Sequence, residues 1–191
     1  MYIRGFIRSI HIVVRLGITK KYRRLLLYGG AYIIFWMIGG CSSFFVLFPT
    51  TERIDCPGAE RQAIEFDGGQ LEILIARSPA TIHKEIEAYV LRFCGNAERA
   101  EWNACRFTGG WSDKPVEMWS VNHPGFGGSS GAARLDRLAP ASIAAYDALA
   151  KEAAGKPIYI SATSLGTTMA LHVAQQRPVA GLILRTPPPL R

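Results

Sequence analysis

Residues 25–48 contain no charged side chain: LLLYGGAYIIFWMIGGCSSFFVLF. A helix of these 24 residues would be about 36 Å long, against a bilayer core of about 30 Å. A chain with such a run is built in two parts, one for lipid and one for water. The expected organisation is a tail at 1–24, an anchor or signal at 25–48 and a folded domain at 52–191.

The charge pattern gives the run a direction. The net charge of +7 resides in the first 51 residues, where Arg4, Arg8, Arg15, Lys20, Lys21, Arg23 and Arg24 stand without one acidic residue. The rest of the chain balances 15 basic against 15 acidic residues. A neutral domain offers no footprint for a phosphate backbone, so no nucleic-acid partner is expected. Basic residues stay on the cytoplasmic side of a span. The N-terminus is therefore expected inside and the domain outside, single-pass.

Two rival readings share the segment. Ile38-Gly39-Gly40-Cys41 resembles a bacterial lipobox, with Cys41 the acylated residue and 25–37 the h-region of a signal peptide. Against it, 44–48 continues the apolar run where a lipoprotein carries a polar tether. In the other, 44–48 is a buried lead-in strand of the domain. Cys56, Cys94 and Cys105 read as small buried thiols; a Cys94–Cys105 bridge stays open, since spacing alone does not argue for it. No C-x-x-C or histidine pair at ligand spacing occurs, so neither metal nor cofactor is expected.

Beyond 52 the pattern alternates. Short apolar runs at 61–66 and 71–77 flank Asp67-Gly68-Gly69, the signature of a hairpin. Further strands are predicted at 89–93, 116–121, 157–161 and 179–184, with helices at 97–106, 141–154 and 165–176. A hairpin followed by alternating strands and helices makes an α/β sheet, mostly parallel, with helices on both faces.

In such sheets the working residues collect where strands end, and three strand ends are unusual. Ser161-Ala162-Thr163-Ser164-Leu165-Gly166 matches the nucleophile elbow G-x-S-x-G, with Ala162 in the first glycine position. Small flanking residues let the turn close tightly and hold the serine strained and exposed; alone, the pattern could equally be a helix cap. Phe93-Cys94-Gly95-Asn96-Ala97 could offer main-chain N–H groups to an oxyanion, or be an ordinary Gly-Asn turn. Asn122-His123-Pro124-Gly125-Phe126-Gly127-Gly128-Ser129-Ser130-Gly131 fails both phosphate-loop patterns, because Ser130 replaces the last glycine and no G-K-[ST] follows. It reads as a tight loop allowing close backbone approach, and a nucleotide-binding domain rests on it alone.

In order and spacing, these three loops resemble the α/β-hydrolase superfamily from about Arg53 onward. The resemblance implies an incomplete α/β-hydrolase sheet of six strands behind an N-terminal transmembrane helix. It implies Ser164 as nucleophile, with oxyanion N–H groups from Leu165 and from Asn96, or Ala97 as the alternative donor. Cys94 stands where the family has the histidine of its His-Gly motif. The implied activity is acyl transfer on an ester, thioester or amide, from a small-molecule or lipid-like substrate. The family's triad runs Ser, then Asp or Glu, then His. No acidic residue follows Ser164, and His172, the one later histidine, reads as structural. His83 and His123 precede the serine and do not fit the order. The run 179–184 would also be an apolar edge strand. The chain is accordingly expected to be an incomplete or inactive hydrolase, with a non-catalytic, membrane-anchored binding or scaffold protein as the alternative.

Overall fold

The computed structural model describes residues 22, 25–32, 46–107 and 113–188. The chain divides into two compact units, Met1–Ser42 and Ser43–Arg191. In the first, residues 25–32 are helical, with Leu25, Leu26, Leu27, Tyr28 and Tyr32 exposed. The apolar run from 33 to 45, with Cys41, lies outside the described residues. Among the described residues no helix is long and apolar enough to cross a membrane.

The second unit is built on a six-stranded sheet. Its strands are β1 (Ala59–Phe66), β2 (Gly69–Arg77), β3 (Ala88–Phe93), β4 (Val116–Val121), β5 (Ile158–Thr163) and β6 (Gly181–Arg185). They lie in the order β1-β2-β4-β3-β5-β6. β1 and β2 form the predicted hairpin, and β2 runs antiparallel to β4. β4, β3, β5 and β6 are mutually parallel. Asp67 and Gly68 turn the hairpin with φ of 50° and 70°, the two positive values that a two-residue turn matching strand twist requires.

Side chains alternate across the strands, and each face carries its own core. Ile73, Ile75, Leu91, Phe93, Trp119, Val121 and Ile160 pack with Leu138, Ala145, Leu149, Met169, Ala170 and Val173. These come from α2 (Leu135–Ala153) and α3 (Gly166–Gln176). Leu74, Ala76, Val90, Cys94, Val116 and Met118 pack with Ala100 and Ala104 of α1 (Ala100–Arg106) and with Phe107. Helices therefore cover both faces, as predicted.

Two helix starts differ from the sequence reading. α2 begins at Leu135 and runs through Pro140. The proline forfeits one main-chain donor, but the buried stripe of Leu138, Ala141, Ala145 and Leu149 is continuous across it. α1 starts at Ala100 because Ala97 takes a left-handed φ of 59°. Its first N–H is capped from another element: Asn122 Oδ1, past the end of β4, accepts from Ala100 at 2.9 Å.

Residues 46–52 belong to the domain. Leu47 joins the core of the α2–α3 face. The carbonyl of Thr50 accepts from Gly127 N–H at 2.9 Å. Arg99, itself buried, donates to the carbonyls of Thr50 and Glu52 at 2.9 and 3.0 Å. The lead-in is docked as an irregular segment; no strand spans 46–52.

The reading of the cysteines as buried thiols holds for Cys94 and is corrected for Cys56 and Cys105. Cys56 and Cys105 are disulfide-bonded, tying the segment before β1 to α1. Cys94 is free and buried, so the Cys94–Cys105 pairing does not form. Folding sends Cys94 toward Ser120 and Asn103 instead.

Candidate active site

β5 ends at Thr163 and α3 begins at Gly166, leaving two residues for the turn. Ser164 takes a φ of 47°, a conformation that costs a non-glycine residue free energy and persists where the surroundings enforce it. Its N–H donates to the carbonyl of Arg185 on β6 at 2.9 Å, and its carbonyl accepts from Thr167 N–H at 2.9 Å and from Thr167 Oγ1 at 2.6 Å. With its main chain pinned on both sides, Ser164 is exposed. Gly166 permits the turn. A Cβ there would lie 2.5 Å from the carbonyl oxygen of Phe93 and 2.6 Å from that of Cys94.

The loop after β3 is brought to the same place. A Cβ on Gly95 would lie 3.6 Å from the Cβ of Ser164 and 3.3 Å from the carbonyl of Thr163. The sequence-predicted Ser164, Leu165 and Asn96 thus meet at one end of the parallel strands. Among the described residues, no hydrogen bond engages the main-chain N–H of Leu165 or Asn96. The side chain of Asn96 turns to the lead-in segment. Its Oδ1 accepts from Phe48 N–H at 3.1 Å, and its Nδ2 donates to the carbonyl of Val46. Ala97 is exposed and takes a left-handed φ of 59°.

The loop is supported from below by residues that the sequence reading did not single out. Glu98 Oε2 accepts from Gly95 N–H at 2.6 Å, and Glu98 pairs with Arg92 at 3.0 Å. Arg92 lies within β3, buried, and donates to Ser161 Oγ at 3.1 Å and Thr163 Oγ1 at 2.6 Å. The one visible signal was a charge inside the apolar strand Tyr89-Val90-Leu91-Arg92-Phe93. His123 is buried beneath the loop, its Nε2 donating to the carbonyl of Cys94 at 2.8 Å. Burial pushes its imidazole below the ordinary value, partly offset by that hydrogen bond. It is a neutral prop for the loop. Burial likewise pushes the Cys94 thiol up to about 12, which makes it unreactive.

The glycine loop after β4 is anchored by Glu72, which accepts from Gly128 N–H at 2.7 Å and Asn122 Nδ2 at 2.7 Å. Burial alone would raise this carboxyl, but Gly128, Asn122 and Arg61 together hold it below its ordinary value. The charges there are consumed in internal pairs: Arg61 with Glu72 and Glu101, and Arg99 with Glu101. Among the described residues no group of His, Cys, Asp and Glu could hold a metal ion. No histidine or carboxylate among them is hydrogen-bonded to the Ser164 hydroxyl.

No protein-family model matches the chain, nor does any curated protein. Solved structures do. Monoglyceride lipase from Saccharomyces cerevisiae, in complex with a substrate analogue, superposes with a TM-score of 0.56 at 19% identity over 73% of this chain and 48% of its own. An α/β-hydrolase from Vibrio vulnificus gives 0.55 at 21%, over 69% and 46%. Epoxide hydrolase A from Mycobacterium thermoresistibile gives 0.54 at 16%, over 69% and 40%. At these identities the likeness is one of fold, and the fold is that of the α/β-hydrolases. The chain spans about half the length of the lipase and the Vibrio hydrolase, and less of the epoxide hydrolase.

Proposed function

We propose that this chain carries the nucleophile and oxyanion site of a serine hydrolase that transfers acyl groups from an ester, thioester or amide. The observation that carries it is Ser164, held at positive φ and exposed between the Gly95–Asn96 loop and the start of α3. The Oγ attacks the acyl carbonyl carbon, and the carbonyl π electrons become the oxyanion, facing the main-chain N–H groups of Leu165 and Asn96. Collapse expels the leaving alcohol, thiol or amine with a proton, and water releases the acyl group from Ser164. The proton on Oγ needs a base. Among the described residues no histidine or carboxylate is hydrogen-bonded to that hydroxyl.

We further propose that the domain works outside the cytoplasm, held to a membrane by 25–48 or by a lipidated Cys41. The uncharged run and its basic flank support the attachment. The Cys56–Cys105 disulfide supports an oxidising compartment.

The test is labelling of the native protein, in membranes of cells that express it, with a fluorophosphonate, followed by peptide mapping. Modification at Ser164 that disappears in Ser164→Ala is expected. A native protein left unmodified at Ser164 overturns the enzymatic reading in favour of a binding or scaffold role. The intact mass of the same sample reports cleavage and acylation at Cys41.

A further inference from the structure

The carboxylate of Glu98 lies where an acyl-transfer site tolerates it least. Its Oε2 and the Cβ of Ser164 lie 3.4 and 3.6 Å from one point, the Cβ position of Gly95, so the carboxylate oxygen stands within about 7 Å of the Ser164 Cβ. At about 7 Å, and at an effective dielectric of about 20, a bare carboxylate would slow formation of a second negative charge by about 50-fold. Arg92 stands directly behind it. Its side chain is 7% exposed and that of Glu98 25%, so the pair neutralises itself with little help from water. Arg92 makes four kinds of contact: Glu98 Oε1 at 3.0 Å, Thr163 Oγ1 at 2.6 Å, Ser161 Oγ at 3.1 Å and Asn103 Oδ1 at 3.1 Å. One guanidinium thereby joins the loop that offers N–H groups, the strand that delivers Ser164 and the helix beneath them.

We propose that Arg92 and Glu98 are positioning residues for acyl transfer at Ser164, a role that rests on the reading above. Glu98 fixes Gly95 and so aims the loop. Arg92 ties that loop to β5 and cancels the charge that Glu98 brings. The two halves of the pair differ in sign, and that makes the role separable from simple support. Glu98→Gln removes the charge and keeps an acceptor for Gly95 N–H. Removing Arg92 alone exposes the developing oxyanion to an unopposed carboxylate, while removing the Glu98 charge leaves a cation behind it.

The experiment measures the second-order rate of fluorophosphonate labelling at Ser164 in the full chain, in native membranes. Arg92→Gln, Glu98→Gln and the double variant are compared with the parent, each checked for folding by its melting curve. Arg92→Gln is expected to label about 50-fold more slowly than the parent. Glu98→Gln, whose amide oxygen still accepts from Gly95 N–H, should stay within about threefold. The double variant should recover most of what Arg92→Gln loses. Equal losses in the two single variants, or no recovery in the double, would reduce the pair to scaffolding and overturn the proposal. If Arg92→Gln does not fold, Glu98→Gln decides alone: a loss as large as 50-fold overturns it. A parent that never labels removes the enzymatic reading itself, and this role with it.

Discussion

A Cβ placed on Gly166 would stand 2.5 Å from the carbonyl oxygen of Phe93, closer than a real side chain comes to a main-chain atom. α3 therefore starts in contact with the end of β3, and the turn holding Ser164 has no room to relax. Gly166→Ala is expected to destabilise the domain by about 3 kcal/mol, read as a lower midpoint in urea, and to abolish labelling at Ser164. An unchanged midpoint with normal labelling would mean that α3 does not rest on β3.

The disulfide between Cys56 and Cys105 closes a loop of 49 residues in sequence separation. Chain entropy alone assigns such a crosslink roughly 4 kcal/mol. Cys56→Ser, or reduction of the parent, should lower the unfolding free energy by that order. Non-reducing peptide mapping should recover the 56–105 pair. A midpoint indifferent to reductant would contradict it.

His123 gives stability a pH dependence of definite sign. Burial keeps its folded-state value below the ordinary 6.5, so the unfolded chain takes up the proton more readily. Stability is full above 6.5 and falls as pH drops below it. In denaturant titrations from about pH 7.5 to about pH 5, the parent should lose stability. His123→Gln, whose amide can still donate to the Cys94 carbonyl, should be flat over that interval. Glu72, held below its ordinary 4.5, adds a second loss only under more acid conditions.

Cys94 should behave as an inert thiol. Its value of about 12 leaves almost no thiolate at neutral pH. Iodoacetamide should modify it only after unfolding, which peptide mapping in and out of guanidinium would show. Rapid native alkylation would place Cys94 at the surface.

The sheet was legible in the sequence because its strands obey a period of two and are punctuated by turn residues. Asp67-Gly68 and the elbow at Ser164 announce themselves locally. The supports of the candidate site did not, because each is a meeting of distant segments. Asn122 caps α1 from the loop after β4, and the partner of Cys56 is 49 residues away. Arg92 looked out of place in an apolar strand until Glu98, Ser161 and Thr163 converged on it. The start of α2 was hidden by Pro140, which local propensity treats as a breaker and a continuous buried stripe overrides. The late start of α1 reflects a positive φ at Ala97, which alanine does not advertise.

Asn96 grips the lead-in through both ends of its side-chain amide, holding Phe48 N–H and the Val46 carbonyl, and its own main chain belongs to the turn beside Ser164. Tension along the segment that leads in from the apolar run would therefore arrive within a residue or two of the loop that faces Ser164. For the same reason a domain beginning at Ser43 keeps the loop's brace, whereas one beginning at Glu52 lacks the Asn96 amide's partners at Val46 and Phe48 and takes Leu47 out of the core. Where the knife falls would then decide whether a recombinant domain reports on this protein's chemistry or on a loosened imitation of it.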